Sequence, residues 1–279
     1  MRAFVETTIL ANILLKTGPE CASAKKALAT FERSTLHSYA LKELRAGPLS
    51  GYVWLHNKLV TTRSLPETML ALNRLVRSPM TSLPATALEA WAEGLKASER
   101  ERLGELREKY GDAADAHSVE LDRVRLTVKS LVLRAWRRRK KITDEVVGEL
   151  SCFGDPAPRE GRGGQVDMGR LGCRADECAM ARELKSRNED LFKLWGATCR
   201  QPERGETMRR ARALRKLWRT PQRKFEVRDC RSLGDAVFAL FAPSESVILT
   251  TNLRDLEPLA ASVGRHAKTP DQVLAGSGS

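Results

Sequence analysis

Short apolar runs alternate with amphipathic stretches over the first 80 residues. Ala3-Phe4-Val5 predicts a strand, and Ile9 to Leu15 follows as a helix, with Thr7 or Thr8 at its start and Gly18-Pro19 at its end. Ala22 to Phe31 predicts a second helix, Thr35 to Ser38 a second strand, and Ala40 to about Arg45 a helix broken near Gly47-Pro48. This alternation predicts an α/β sheet. Helical periodicity then takes over, in Leu65 to Arg77, in Thr86 to Tyr110 with breaks, and in Ser118 to Lys140. The last of these carries the apolar stripe Val124, Val128, Leu131, Val132 and Ala135. Thr86-x-x-Glu89 and Ser98-x-x-Glu101 each match a capping box at a helix start.

Residues 152–173 differ in kind, with Gly154, Gly161, Gly163, Gly164, Gly169, Gly172, Pro156 and Pro158 and little apolar periodicity, so they predict a loop or flap. Helices resume at about Asp176 to Ser186, Asn188 to Leu194 and Thr207 to Thr220, before Pro221. The α/β pattern then returns: strand Phe225 to Arg228, helix Gly234 to Ala242, strand Ser246 to Thr250, helix Asp255 to Ser262. Neither α/β piece is large enough to close a sheet by itself. Residues 1–80 and 225–270 are therefore expected to form one domain, 81–224 a mainly α-helical insertion, and 271–279 a flexible tail.

With 42% hydrophobic residues in 279, the chain can bury a substantial core. No apolar run approaches the roughly 20 residues that span a bilayer, so no membrane partner is expected. Arg2, the apolar stretch after it and Cys21-Ala22-Ser23-Ala24 have the outline of a secretory signal, but Glu6 and Asn12 lie inside the apolar part and argue against it. Six cysteines are too sparse for a disulfide scaffold, and a reducing, cytoplasmic setting is expected.

Charge changes the picture more. Lys and Arg number 48 against 35 Asp and Glu, a net +13. Two short runs account for all of it: 134–141 has six basic and no acidic residues, and 206–224 has eight and one. The first, with Arg134, Arg137 and Arg138, ends a predicted helix, where cations also complement the helix dipole. In the second, Arg209, Arg212, Lys216, Arg219 and Arg223 recur on one helical face, with Ala211, Leu214 and Trp218 opposite. A solvated helix surface usually mixes signs, and only Glu206 offers a counter-charge here, so these cations are read as nucleic-acid contacts.

Carboxylates stand at the other end of the polarity scale. Glu6 follows the first predicted strand, Glu43 lies in the helix after the second, Asp235 opens the helix after the third, and Asn252 with Asp255 follows the fourth. In an open parallel sheet the carboxyl ends of the strands form the functional edge, so these groups can converge. Clustered carboxylates repel unless a cation compensates them, and Mg²⁺ or Mn²⁺ suits an oxygen-only set. Such a site activates water for displacement at a phosphodiester. Each residue also has an ordinary explanation: Asp235 is three after Ser232 as in a capping box, Glu43 fits an exposed helix position, and Glu6 favours a helix N-terminus.

Phe4-Val5-Glu6-Thr7-Thr8-Ile9-Leu10 resembles the opening strand and acidic turn of the PIN-domain nucleases, a family that normally has Asp where this chain has Glu6. Ser38-Tyr39-Ala40-Leu41-Lys42-Glu43-Leu44-Arg45 resembles the second motif, and Leu233-Gly234-Asp235-Ala236-Val237 the third. Ile248 to Glu257 is similar to the closing segment, with Asn252 at a position that helps order metal and substrate. The resemblance covers about 100 residues at the two ends of the chain. It implies a three-layer α/β/α fold with a central parallel sheet, and metal-dependent cleavage of RNA. It also implies Glu6, Glu43 and Asp235 as catalytic metal ligands assisted by Asn252; whether an inhibitory or antitoxin protein is a further partner, as in toxin-antitoxin pairs, the sequence leaves open.

Cys152, Cys173, Cys178 and Cys199 invite a zinc reading, but only one pair is close in sequence, so zinc is not expected. His37, His56, His117 and His266 form no spaced ligand pair, and Gly161-Arg162-Gly163-Gly164 lacks the Lys-Ser/Thr of a phosphate loop. Two functions remain open: a Mg²⁺- or Mn²⁺-dependent endoribonuclease acting on single-stranded RNA, and a non-catalytic RNA-binding or protein-interaction module on a degenerate form of the same fold.

Overall fold

In the computed structural model Ala3, Phe4 and Val5 are all fully buried, although successive residues of a strand face opposite ways. Both faces of that strand are therefore covered, and it lies at the centre of its sheet. The structure describes residues 1–76, 83–100, 116–148, 157–169, 179–202, 205–219 and 227–276. In chain order the first elements are β1 (Arg2–Val5), α1 (Thr7–Leu15), α2 (Pro19–Ala29), β2 (Arg33–His37), α3 (Ser38–Ala46), α4 (Pro48–Thr62) and α5 (Leu65–Val76). The middle holds α6 (Leu83–Arg100), α7 (Ala116–Arg138), β3 (Glu145–Val147), β4 (Arg159–Glu160), β5 (Val166–Asp167), α8 (Ala179–Lys185), α9 (Asn188–Arg200) and α10 (Gly205–Arg219). The chain continues with α11 (Val227–Ser232), α12 (Gly234–Phe241), β6 (Ser246–Leu249), α13 (Leu253–Ser262), β7 (His266–Lys268) and α14 (Pro270–Gly276).

Five strands form one parallel sheet in the order β3-β2-β1-β6-β7. Phe4 pairs with Thr35 on one side and Ile248 on the other. The chain moves outward from β1 through β2 to β3, then returns to build the other half as β6 and β7. That reversal places a topological switch point at the carboxyl ends of β1 and β6.

The predicted strand at Phe225 to Arg228 is corrected. Phe225 and Glu226 lie outside the described residues, and Val227 begins the helix α11. The place beside β2 belongs to β3, where Glu145, Val146 and Val147 pair with Thr35, Leu36 and His37. The segment 81–224 thus supplies an edge strand to the sheet. An edge strand with Glu145 and Val146 exposed shows no apolar run, and the three-residue β7 at the opposite edge is hidden for the same reason. Gly148, just past β3, has φ +76°, and a Cβ there would meet the His37 ring at 2.3 Å, so the turn requires glycine.

Other boundaries shift for identifiable reasons. The helix α3 breaks at Gly47-Pro48 as expected, and Pro48 also starts the 15-residue α4, because proline in a first turn sacrifices no hydrogen bond. Thr86 and Ser98 lie inside α6 rather than at helix starts, and the Thr86 hydroxyl donates to the Leu83 carbonyl. The stripe on α7 is buried as expected, and that helix packs on α1, α4 and α6. Within the glycine-rich segment, residues 157–169 form an antiparallel ribbon of β4 and β5, held to α4 by Asn57, which bonds both the N–H and the C=O of Val166. Residues 271–276, expected as tail, continue α14, which docks on α2 through buried Val273 and a 2.8 Å bond from Ser23 to Asp271. No helix among the described residues is long and apolar enough to cross a membrane.

Candidate functional site: a carboxylate cleft at the sheet switch point

Glu6 leaves β1 with an extended backbone and caps α1. Its Oε2 accepts from the Thr8 N–H at 3.0 Å, from the Thr8 hydroxyl, and from the Thr250 hydroxyl at 3.1 Å. Its own N–H donates to the Leu249 carbonyl at 3.1 Å, so the residue is pinned between the ends of β1 and β6. It is 5% exposed.

Glu43 arrives from the other half of the sheet. His37 at the end of β2 accepts the Tyr39 N–H and caps α3, and one and a half turns later Glu43 projects back toward α1. There its Oε2 accepts a 2.5 Å bond from the Thr7 hydroxyl. Asp235 comes from a third segment. A Cβ on Gly234 would lie 3.0 Å from Glu43 Oε1 and 3.0 Å from the Tyr39 ring, so only glycine lets the start of α12 come this close. Asp235 is the next residue. Three carboxylates far apart in sequence therefore share one edge of the sheet.

Their titration shows the strain of that proximity. Burial, and to a lesser extent the Asp235 charge, raises Glu6 to about 7 against the hydrogen bonds from Thr8 and Thr250. Burial and the charges of Glu6 and Asp235 push Glu43 up to about 8. Asp235 is also raised, by burial first and by Asp255 and Glu206, while Arg210 pulls it down. Arg210 is the cation that sequence reasoning missed. It lies on the inner stripe of α10 with Thr207, Ala213, Leu214 and Leu217, and its guanidinium donates to Asp235. The available signal was an arginine in phase with that apolar stripe.

Asn252 stands at the same edge, and its N–H donates to the Thr250 hydroxyl at 2.9 Å. Among the described residues its side chain makes no hydrogen bond to the three carboxylates. The basic residues are spread more widely. Arg134, Arg137, Arg138, Arg209, Arg212 and Arg219 are exposed, as is Arg215. Lys216, expected on the free basic face, forms a 2.5 Å ion pair with Asp229 of α11. Trp218, expected to be buried, is half exposed, because the inner stripe is set one position away. Arg223, Cys152, Cys173 and Cys178 lie outside the described residues, and Cys199 is a free, exposed thiol.

Among the described residues no three His, Cys, Asp or Glu side chains stand in an arrangement that would hold an ion as they are. The donor chemistry nonetheless fits a hard divalent cation at Glu6 and Glu43: both groups offer carboxylate oxygens, and among the described residues neither makes an ion pair with a Lys or Arg, whereas Asp235 pairs with Arg210. Compared with protein-family models, curated proteins and solved structures, the chain matches none. The class that fold and site define is an α/β protein with a five-stranded parallel sheet and a carboxylate cleft at its switch point.

Proposed function

We propose that the chain is a PIN-like, three-layer α/β/α endoribonuclease that hydrolyses phosphodiester bonds of single-stranded RNA with Mg²⁺ or Mn²⁺. One observation carries the reading: Glu6, Glu43 and Asp235 come from three segments to the switch point of a parallel sheet, where burial and mutual repulsion leave them short of positive charge. Glu6 and Glu43 would hold the ion, with Asp235 the third arm and Asn252 in support. The ion supplies charge neutralisation and a more acidic bound water. Thr8 and Thr250 fix the Glu6 carboxylate, and Thr7 fixes that of Glu43, so the donors are oriented before substrate arrives. Exposed Arg209, Arg212 and Arg219 on α10, the helix that also carries Arg210 to Asp235, are placed to hold RNA phosphates.

The second reading, a non-catalytic RNA-binding module, is favoured by one specific contact: Arg210 already neutralises Asp235. Incubating the protein with end-labelled single-stranded RNA and Mn²⁺ or Mg²⁺ separates the two. Cleavage by the wild type and none by Glu43→Gln/Asp235→Asn is expected. Cleavage that survives in that double variant removes the proposed site, and RNA binding without cleavage under any metal condition supports the module.

A further inference from the structure

A desolvated arginine stands among the carboxylates. Arg210 is 2% exposed. Nη2 donates to Asp235, and Nη1 makes a long 3.4 Å contact to Gln201 Oε1. Gln201 is itself anchored to the Asp255 carbonyl at 3.2 Å. Nε is buried with no hydrogen-bond partner.

A guanidinium offers five N–H donors, and a buried arginine with a purely structural role normally has them satisfied. Here the single strong contact is to a group that the proposed reaction needs elsewhere. Arginine cannot leave by losing its proton, since it stays charged at any working pH. It leaves Asp235 only if α10 moves or if a stronger cation takes its place. At 2% exposure it also has no path to a substrate phosphate in this conformation.

Resting on the nuclease reading above, we infer that Arg210 is a built-in counter-cation of the cleft, which a divalent ion must displace from Asp235 before that carboxylate can act as a ligand. The chain thereby folds with Asp235 compensated in the absence of metal, while Glu6 and Glu43 are held by the hydroxyls of Thr8, Thr250 and Thr7 through one oxygen each. Apparent metal affinity is reduced by the fraction of molecules in which Arg210 occupies Asp235. An occupancy of roughly nine-tenths corresponds to a tenfold loss. The placement of Arg210 on α10, beside exposed Arg209 and Arg212, puts this cation on the same helix that offers outward charges to RNA.

The test is direct Mn²⁺ binding to the full chain, read as loss of the free-ion electron paramagnetic resonance signal and by calorimetry. Arg210→Gln is expected to bind Mn²⁺ about tenfold more tightly than the wild type or better. Equal affinity in the two proteins overturns the inference while leaving the metal-dependent reading in place. Absence of binding in both overturns the metal-dependent reading, and the inference with it. Should Arg210→Gln not fold, because it leaves Asp235 buried without a partner, Arg210→Lys carries the test. An ammonium lacks the planar fork and holds a carboxylate as a point charge, so affinity between wild type and the tenfold gain supports displacement, and affinity equal to wild type refutes it.

Discussion

Two clusters of like charge lie on this molecule and behave in opposite ways. On the end of α7 and the outer face of α10, exposed arginines stand near one another in water. In the cleft three carboxylates are packed at a sheet edge, and Glu6 and Glu43 are raised to about 7 and about 8. High dielectric and salt make the first arrangement cheap, whereas desolvation makes the second costly. Crowding of charge is tolerated for solubility on a surface. In a buried cluster it persists only when something else gains from it, and on the reading proposed above that gain is a site for a cation.

The largest way to break this comparison is to remove the cleft's charge. Glu43→Gln alone is expected to lower the cleavage rate at saturating Mn²⁺ by about 10²- to 10³-fold, on the scale of losing one preorganised electrostatic group. RNA affinity measured by fluorescence anisotropy should change little if, as proposed, the phosphates rest on the arginines. A rate within threefold of wild type would detach Glu43 from the chemistry.

Next in size is the pH dependence of stability. Glu6 and Glu43 have folded pKa values above the unfolded value of 4.5, so the native state binds more protons between that value and about 7 or 8. Their contribution is fully present below pH 4.5 and is lost as pH rises through the folded values. His37 works the other way: burial lowers it to about 4, so its contribution is lost as pH falls below 6.5. Between pH 6.5 and 8 the slope therefore belongs mainly to the carboxylates. Urea unfolding without metal should show stability falling across that window, by at most about 1.4 kcal/mol per pH unit for each group. Glu43→Gln should flatten the slope, and so should Mn²⁺. A flat wild-type profile would mean that folding raises neither carboxylate.

The surface cluster is tested by salt. Replacing Arg212 and Arg219 together with Gln should reduce the slope of log affinity for single-stranded RNA against log salt by about 1.4, at roughly 0.7 per phosphate contact. Lys216→Gln gives the smallest effect and sharpens the contrast. Its ion pair with Asp229 is partly exposed, so the change should leave the salt slope where it was and cost at most about 1 kcal/mol in thermal unfolding. A slope that falls by as much as for either arginine would return Lys216 to the RNA-facing set.

Much of the site was legible in local patterns. The strand at Ala3 to Val5, the helix carrying Glu43, the helix that opens at Gly234 and the strand ahead of Asn252 all announce themselves through apolar runs and breaks, and burial on both faces of a central strand leaves a contiguous signature. The edge strands β3 and β7 did not, since exposed, short strands take their stability from a neighbour's hydrogen bonds. The basic helix was recognised as a helix, but its phase was read one position off. The charge pattern puts Trp218 inside and Arg210 beside the basic face, whereas the buried stripe runs through Arg210, Ala213, Leu214 and Leu217.

By itself the sequence determined which segments form the centre of the sheet, which residues carry negative charge just beyond its strands, and where the surplus positive charge resides. Periodicity and composition are properties of short stretches, and short stretches suffice for those conclusions. Only the tertiary structure decided that Glu6, Glu43 and Asp235 meet, that Arg210 is turned inward onto Asp235, that Lys216 is spent on Asp229, and that residues 145–147 complete the sheet. The physical reason is that the energy of a charge depends on its distance to other charges and on how much water it has lost, and both quantities come into being when segments far apart in the chain are packed together.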